Sequence, residues 1–207
     1  MTAYFRTQGV VIKKEDRGEA DRIFTIFTKD FGKISLRAVS VRKINSKLRS
    51  GLELFYFSEI AFVQGKIHKT ITDVALIERF GHAQRDISSM RVMNRLAEIA
   101  DEIIKEEEQD IKVWNLLNET LRGFNRSDMQ SAERNLIAYY FLWNLLGYSG
   151  YGPSLQAIGQ RDRKTAQVIE SLLQGDVAIL RSLSRRGIDE SLLKRISQEH
   201  LLKVLKN

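Results

Sequence analysis

The chain of 207 residues contains no cysteine, one proline and three histidines, and each shortage removes a class of protein. Without cysteine there are no disulfides, thiolate metal sites or cysteine nucleophiles, and a reducing compartment suits the chain. The N-terminal MTAYFRTQG has no apolar signal core, and no apolar run approaches the roughly 18 residues of a membrane span. A cytoplasmic protein without membrane contact is expected. His68, His82 and His200 are far apart and none belongs to a ligand-spaced pair, so no metal is expected. The chain lacks a GxxxxGK[ST] phosphate loop, and the GxxGxG spacing in GYSGYG follows a helical pattern instead of a strand, which makes it a turn. Glu19 and Asp21 share a face with Arg22 opposed, as in a surface turn, and the serines have no positioned base. No catalytic residue, cofactor or enzymatic activity is expected.

What is present is positive charge. Thirty-three Lys and Arg against 26 Asp and Glu give +7 and a pI near 9.6, a balance that favours polyanionic partners. Counted along the chain, residues 1–80 carry 15 basic and 9 acidic side chains, 81–150 carry 8 and 11, and 151–207 carry 10 and 6. The densest excess lies in Gly32 to Gly51, GKISLRAVSVRKINSKLRSG, which has no acid and gathers Lys33, Arg37, Arg42, Lys43, Lys47 and Arg49. Such a segment either stays a solvated loop or meets an anion, for which a phosphate backbone is the leading candidate.

From Tyr4 to Glu78 the pattern is short, β-branched and aromatic, broken by Gly and charged turns. It predicts strands at Phe5–Lys13, Arg22–Thr28, Lys33–Val41, Leu54–Val63 and Lys66–Ile77, with turns at Glu15–Glu19, Asp30–Gly32, Ile44–Gly51 and Gln64–Gly65. In the third strand Ile34, Leu36 and Ala38 alternate with Lys33, Ser35 and Arg37, so the basic set is expected outside. Five strands in this length fit a small closed barrel of the OB type, with an SH3-like barrel as the alternative. Phe24, Phe27, Phe31, Phe55, Tyr56, Phe57 and Phe62 are either its core or base-stacking platforms. Tyr56 and Phe57 fall on opposite faces, so at most one points into the core.

After Phe80 the period becomes helical. The fold class is therefore α+β, an N-terminal five-stranded OB-type barrel over 1–80 and an α-helical domain over 81–207. Val92, Leu96, Ile99, Ala100 and Ile103 define one helix face, followed by the acidic run Glu106, Glu107, Glu108 and Asp110 as solvated surface. Val113, Leu116, Leu117 and Leu121 define a second helix, stopping near Gly123. Ser127 and Gln130 have capping-box spacing before a third, ending at Gly147, whose apolar LIAYYFLWNLLG marks it as surrounded by others. GYSGYGPSLQAIG is expected to be an irregular connection. Beyond it Val168, Ile169, Leu172 and Leu173 form one helical pattern. Asp176 could cap the next, with Val177, Ile179, Leu180 and Leu183, and Asp189 a last one with Leu193, Ile196, Leu201 and Val204.

Four blocks, TQGVVIKK, GEADRIFTIFTKDFGKISLRA, SKLRSGLELF and NLLGYSGYGPSL, resemble the bacterial recombination mediator family RecO in order and spacing. The resemblance implies an OB barrel and a helical domain acting without catalytic turnover in recombinational repair, in the bacterial cytoplasm at the nucleoid. It implies binding of single- and double-stranded DNA, annealing of complementary strands, engagement of the acidic tail of single-strand-binding protein, and work with RecR to load RecA. Many members carry a four-cysteine zinc module after the LLGY block; this chain has no cysteine there, and that function does not carry over.

The DNA-binding candidates are accordingly Lys33, Arg37, Arg42, Lys43, Lys47 and Arg49. Lys33 and Arg37 are expected to be fixed on a strand, and Arg42 to Arg49 to order on meeting DNA. About five phosphate contacts on a single strand would give a log–log salt slope of roughly −3.5. Arg122, Arg126, Arg134, Arg161, Arg163 and Lys164 are the candidate rim of a groove for the tail of single-strand-binding protein, with solvated helix faces as the alternative. An RNA-binding OB protein with a helical interaction domain is the rival reading.

Overall fold

The computed structural model describes residues 3–175, 180, 182–183 and 188–206. By its contacts the chain forms two compact units. The first is Met1–Gly81 with Ile104–Trp114; the second is His82–Ile103 with Asn115–Asn207.

The first unit is a closed barrel of β1 (Tyr4–Arg17), β2 (Asp21–Thr28), β3 (Gly32–Ala38), β4 (Phe57–Gln64) and β5 (Lys69–Glu78), in the order β1-β2-β3-β5-β4. β1 runs four residues past its expected end because it serves two neighbours. Its first half pairs with β4, from Tyr4↔Val63 to Val10↔Phe57, and its second with β2, through Lys14↔Phe24 to Arg17↔Asp21. A register shift between Val11 and Lys13 bends it from one to the other. Only Gly18, at φ 63°, and its neighbours are left to turn the chain. Closure is narrow, since β3 and β5 run parallel and pair only at Leu36↔Lys69 and Arg37↔Thr70.

Inside lie Val11, Phe24, Ile26, Ile34, Leu36, Leu52, Ile60 and Phe62, the set that strand alternation turns inward. The start of β3 is covered from far along the chain. Lys33 forms a parallel bridge with Glu106, and the Glu107 N–H donates to the Lys33 carbonyl at 2.9 Å. Gln109 Nε2 donates to the Lys29 carbonyl at 3.1 Å, Lys69 pairs with Glu107, and Trp114 packs on Phe27 and Phe57. Glu106, Glu107 and Glu108 are exposed in their side chains, yet the backbone here is a strap on the barrel.

The second unit is helical. α1 (Gly81–Arg85) and α2 (Ile87–Ile103) precede α3 (Ile111–Phe124), whose first turn belongs to the barrel unit. α4 (Ser131–Tyr148), α5 (Leu155–Arg161), α6 (Arg163–Gln174) and α7 (Glu190–Val204) follow. α4 is the hub, as its all-round apolarity predicts: every residue from Tyr140 to Leu146 is buried. Asn144 Nδ2 ties it to α6 by donating to the Tyr140 and Leu172 carbonyls at 2.9 Å. Asp189 caps α7 as expected, accepting from the Ser191 and Leu192 N–H groups. The Ser127–Gln130 capping box does not form. Gln130 stands at the N-cap of α4 without a side-chain bond, and Arg126 organises that turn by pairing with Glu133 and Asp128. The connection expected to be irregular through Gly159 is helical from Leu155, because Ser154 accepts from the Ala157 N–H and starts α5. Asp176, Val177 and Ile179 lie outside the described residues. Among the described residues no helix is long and apolar enough to cross a membrane.

Candidate nucleic-acid interface

The basic stretch leaves β3 at Ser40, which takes a left-handed φ of 55°. Asp21 holds that turn: its Oδ1 accepts the Ser40 N–H at 2.7 Å, and its Oδ2 accepts Arg37 Nη2 at 2.6 Å and Nε at 3.0 Å. The Ser40 N–H first, and then Arg37, hold the Asp21 carboxyl below the usual range. Two residues on, the Arg42 N–H donates to the Ala20 carbonyl and its guanidinium to the Gly18 carbonyl, with Asp16 at 3.5 Å. Asp16 is itself bound by Arg22 at 2.6 Å, which lowers its carboxyl. Arg37 and Arg42 thus spend their charge on fastening the loop to the β1–β2 turn.

A carboxyl whose folded value is depressed stabilises the fold above the ordinary carboxylate range, near pH 4, and loses that contribution as pH falls through the depressed value. Thermal stability should be nearly level between about pH 7 and 5 and decline below about pH 4. Asp21→Asn should be less stable at neutral pH and show a shallower acid decline. A decline as steep as that of the unaltered chain would remove Asp21 from this role.

Lys33 departs from expectation. It is 6% exposed, because the strap covers the outer face of β3 at that position, so it does not present its ammonium to solvent as strand alternation suggests. Lys43, Lys47 and Arg49 are exposed, and none has an ion-pair partner among the described residues. They project from a loop held by its own backbone hydrogen bonds. Lys43 and Ser46 N–H groups bond back to the Ser40 and Lys43 carbonyls, and Lys47–Gly51 is a 3-10 turn that the sequence pattern does not reveal. Ser58 Oγ then anchors the Gly51 carbonyl at 2.8 Å.

Of the seven candidate aromatics, Phe24, Phe27, Phe55, Phe57 and Phe62 are buried, and Phe31 packs edge-on against Phe5 and Phe62. Tyr56 alone turns outward beside this loop, with the Arg79 guanidinium over its ring at 5.4 Å from the centroid. Arg79 lies at the end of the barrel segment, outside any charge run, and composition gave no signal for it.

In the helical unit the six rim candidates are dispersed. Arg126 is committed to Glu133 and Asp128, Arg134 to Asp86 and Ser89, and Arg161 to Glu199. Arg122 is exposed near the end of α3, while Arg163 and Lys164 are exposed at the start of α6. None of them lines the apolar groove between α2, α4 and α7. That groove, of about 360 Å³, is floored by Leu96, Ile99, Leu142 and Leu201 and edged by Arg91, Arg95 and Lys194. Arg95 pairs with Glu98, whereas Arg91 and Lys194 have no partner among the described residues. Ser197 Oγ, buried on its wall, has no hydrogen-bond partner there either. Burial, and secondarily Glu190, pushes the Tyr139 phenol in the same wall upward.

A closed barrel of this strand order, carrying an exposed basic loop and continued by a helical unit, defines an OB-type protein of the α+β class. The family descriptions Recombination protein O N terminal and Recombination protein O C terminal match residues 1–80 and 84–206. The chain belongs to the Recombination protein O family. It is similar to the DNA repair protein RecO of Dehalococcoides mccartyi, 34% identical over 152 residues that make up 73% of this chain and 58% of that protein. The DNA repair protein RecO of Acetivibrio thermocellus is 32% identical over 150 residues, 72% of this chain and 59% of the relative. That of Roseiflexus sp. is 30% identical over 151 residues, 73% and 52%. The chain thus spans between half and two thirds of the length of these relatives.

Proposed function

We propose that the chain is a DNA repair and recombination mediator that binds single- and double-stranded DNA, anneals complementary strands and, with RecR, helps load RecA onto DNA coated by single-strand-binding protein. The observation that carries this reading is the trio Lys43, Lys47 and Arg49, exposed cations in no salt bridge among the described residues, on a loop pinned to an OB-type barrel. Phosphates neutralised there release counterions, and two strands held by one cationic surface repel each other less, so that base pairing completes the duplex. The reading predicts faster annealing of complementary oligonucleotides in the presence of the chain, and slower annealing when Lys43, Lys47 and Arg49 are neutralised together. Annealing unaffected by the chain would remove the reading, and a strong preference for RNA strands of equal length would favour the RNA-binding rival.

The partner reading is carried by charge complementarity. The tail of single-strand-binding protein is acidic with an apolar end, and the α2–α4–α7 groove offers an apolar floor edged by Arg91, Arg95 and Lys194. A short aspartate-rich peptide ending in a bulky apolar residue should bind, and Arg91→Glu with Arg95→Glu should weaken it by about tenfold or more. Equal binding by the double variant would place the tail elsewhere, with Arg122, Arg163 and Lys164 as the next residues to test.

A further inference from the structure

Beside the basic loop lies an open cleft of about 360 Å³ lined by Ile44, Ser46, Arg49, Ser50, Glu53, Tyr56 and Arg79. Its construction is costly in two places. Phe55 adopts φ 63°, a conformation that bulky L-residues rarely take, and it is held there by burial at 1% exposure and by its N–H donating to the Val11 carbonyl at 2.8 Å. Phe55 and Phe57 both enter the interior, while Tyr56 between them lines the cleft. Ile44, at 90% exposure, is the second cost, an aliphatic side chain standing in water at the cleft's edge.

The lining separates by chemistry. Tyr56 is a flat apolar surface whose ring already accepts one planar cation, Arg79. Ile44 adds apolar contact, Ser46 and Ser50 add hydroxyls, and Glu53 adds a carboxylate whose Oε2 is occupied by Lys14 at 2.5 Å. Arg49 brings positive charge to the same rim, and Lys47 stands two residues before it on the loop. A flat apolar platform bordered by hydrogen-bonding groups and backed by cations matches one nucleotide, with base on platform and phosphate on cation. A duplex keeps its bases stacked on one another, so the ligand that uses the platform is a single strand with a base turned out.

We propose that this cleft holds one unstacked base of single-stranded DNA, with Tyr56 as its stacking platform and Arg49 at the adjoining phosphate. The inference rests on the DNA-binding reading above and assigns it a contact that electrostatics does not supply. Stacking is independent of salt to first order, so it persists where phosphate contacts have been screened.

The test compares an oligothymidylate with a strand of the same length made of abasic sites, using the unaltered chain, Tyr56→Leu and Tyr56→Phe. Tyr56→Leu should lose roughly 5- to 150-fold in affinity for the base-bearing strand and nothing for the abasic strand, and Tyr56→Phe should behave as the unaltered chain. A strand carrying 2-aminopurine should show its fluorescence quenched by the unaltered chain and not by Tyr56→Leu. Equal losses on both strands, or no loss on either, would overturn the platform while leaving DNA binding intact. Failure of the unaltered chain to bind either strand would overturn the DNA-binding reading and the platform with it.

Discussion

Replacing Lys43, Lys47 and Arg49 together by alanine should flatten the log–log salt dependence of single-strand binding by about two units and lower affinity at 0.1 M salt by about a hundredfold. Each phosphate neutralised on a single strand contributes roughly 0.7 to the slope, and three are removed. Arg37→Ala and Arg42→Ala should behave differently. Their guanidiniums are bound to Asp21, to Gly18 and Asp16, so removing them loosens the loop and lowers stability while changing the slope little. Treating all six basic residues of the stretch alike leads to a slope of roughly −4, and five contacts to roughly −3.5; the trio alone leads to roughly −2. Titrations at several salt concentrations distinguish the two, and a triple variant with an unchanged slope would show that the loop contacts no phosphate.

The second large effect concerns Gly32, the first residue of the same stretch. It has φ 64°, and a Cβ there would stand 2.1 Å from the Glu108 carbonyl oxygen and 2.5 Å from its carbon. Those atoms are backbone, so the strap must move as a whole. Gly32→Ala therefore costs about 1–2 kcal/mol for the left-handed conformation and about 1 kcal/mol more for each strap hydrogen bond given up. A total of about 2–4 kcal/mol corresponds, for a chain of this size, to a fall in Tm of roughly 5–15 °C. Gly18 provides the internal control. Its φ is 63°, but nothing lies within 4 Å of its would-be Cβ, so Gly18→Ala should show the conformational cost alone. Amide exchange at 104–110 should quicken in Gly32→Ala and not in Gly18→Ala. Equal destabilisation by the two substitutions would mean that strap contact adds nothing.

These two cases mark where the sequence could be read and where it could not. Alternation along Ile34, Leu36 and Ala38 set the inner face of β3 correctly, and the apolar run of α4 announced the helical hub, because both are consequences of burial repeated at a fixed period. The same alternation put Lys33 outside, and it is outside the barrel, but a segment more than seventy residues later covers it. A single-residue bridge to Glu106 leaves no period. Likewise the charge count singled out this loop, yet charge does not say which cations are already paired. Asp16 and Asp21 neutralise Arg42 and Arg37, and it is the β1–β2–β3 register that brings them together. Alternation put Tyr56 and Phe57 on opposite faces but did not say which of them points inward; burial of Phe55 and Phe57 leaves Tyr56 outside. In the helical unit the basic residues gathered by sequence position were dispersed over different faces, and Arg91, Arg95 and Lys194, from two helices far apart in the chain, converge instead.

Amide hydrogen exchange of the chain with and without a saturating single-stranded oligonucleotide decides whether the basic loop is the DNA-binding surface. Slowed exchange is expected across residues 42–56, covering the loop, the 3-10 turn and the approach to Tyr56, with the strap at 104–110 unchanged. Protection confined to the helical unit, or absent from 42–56 at saturation, would contradict it.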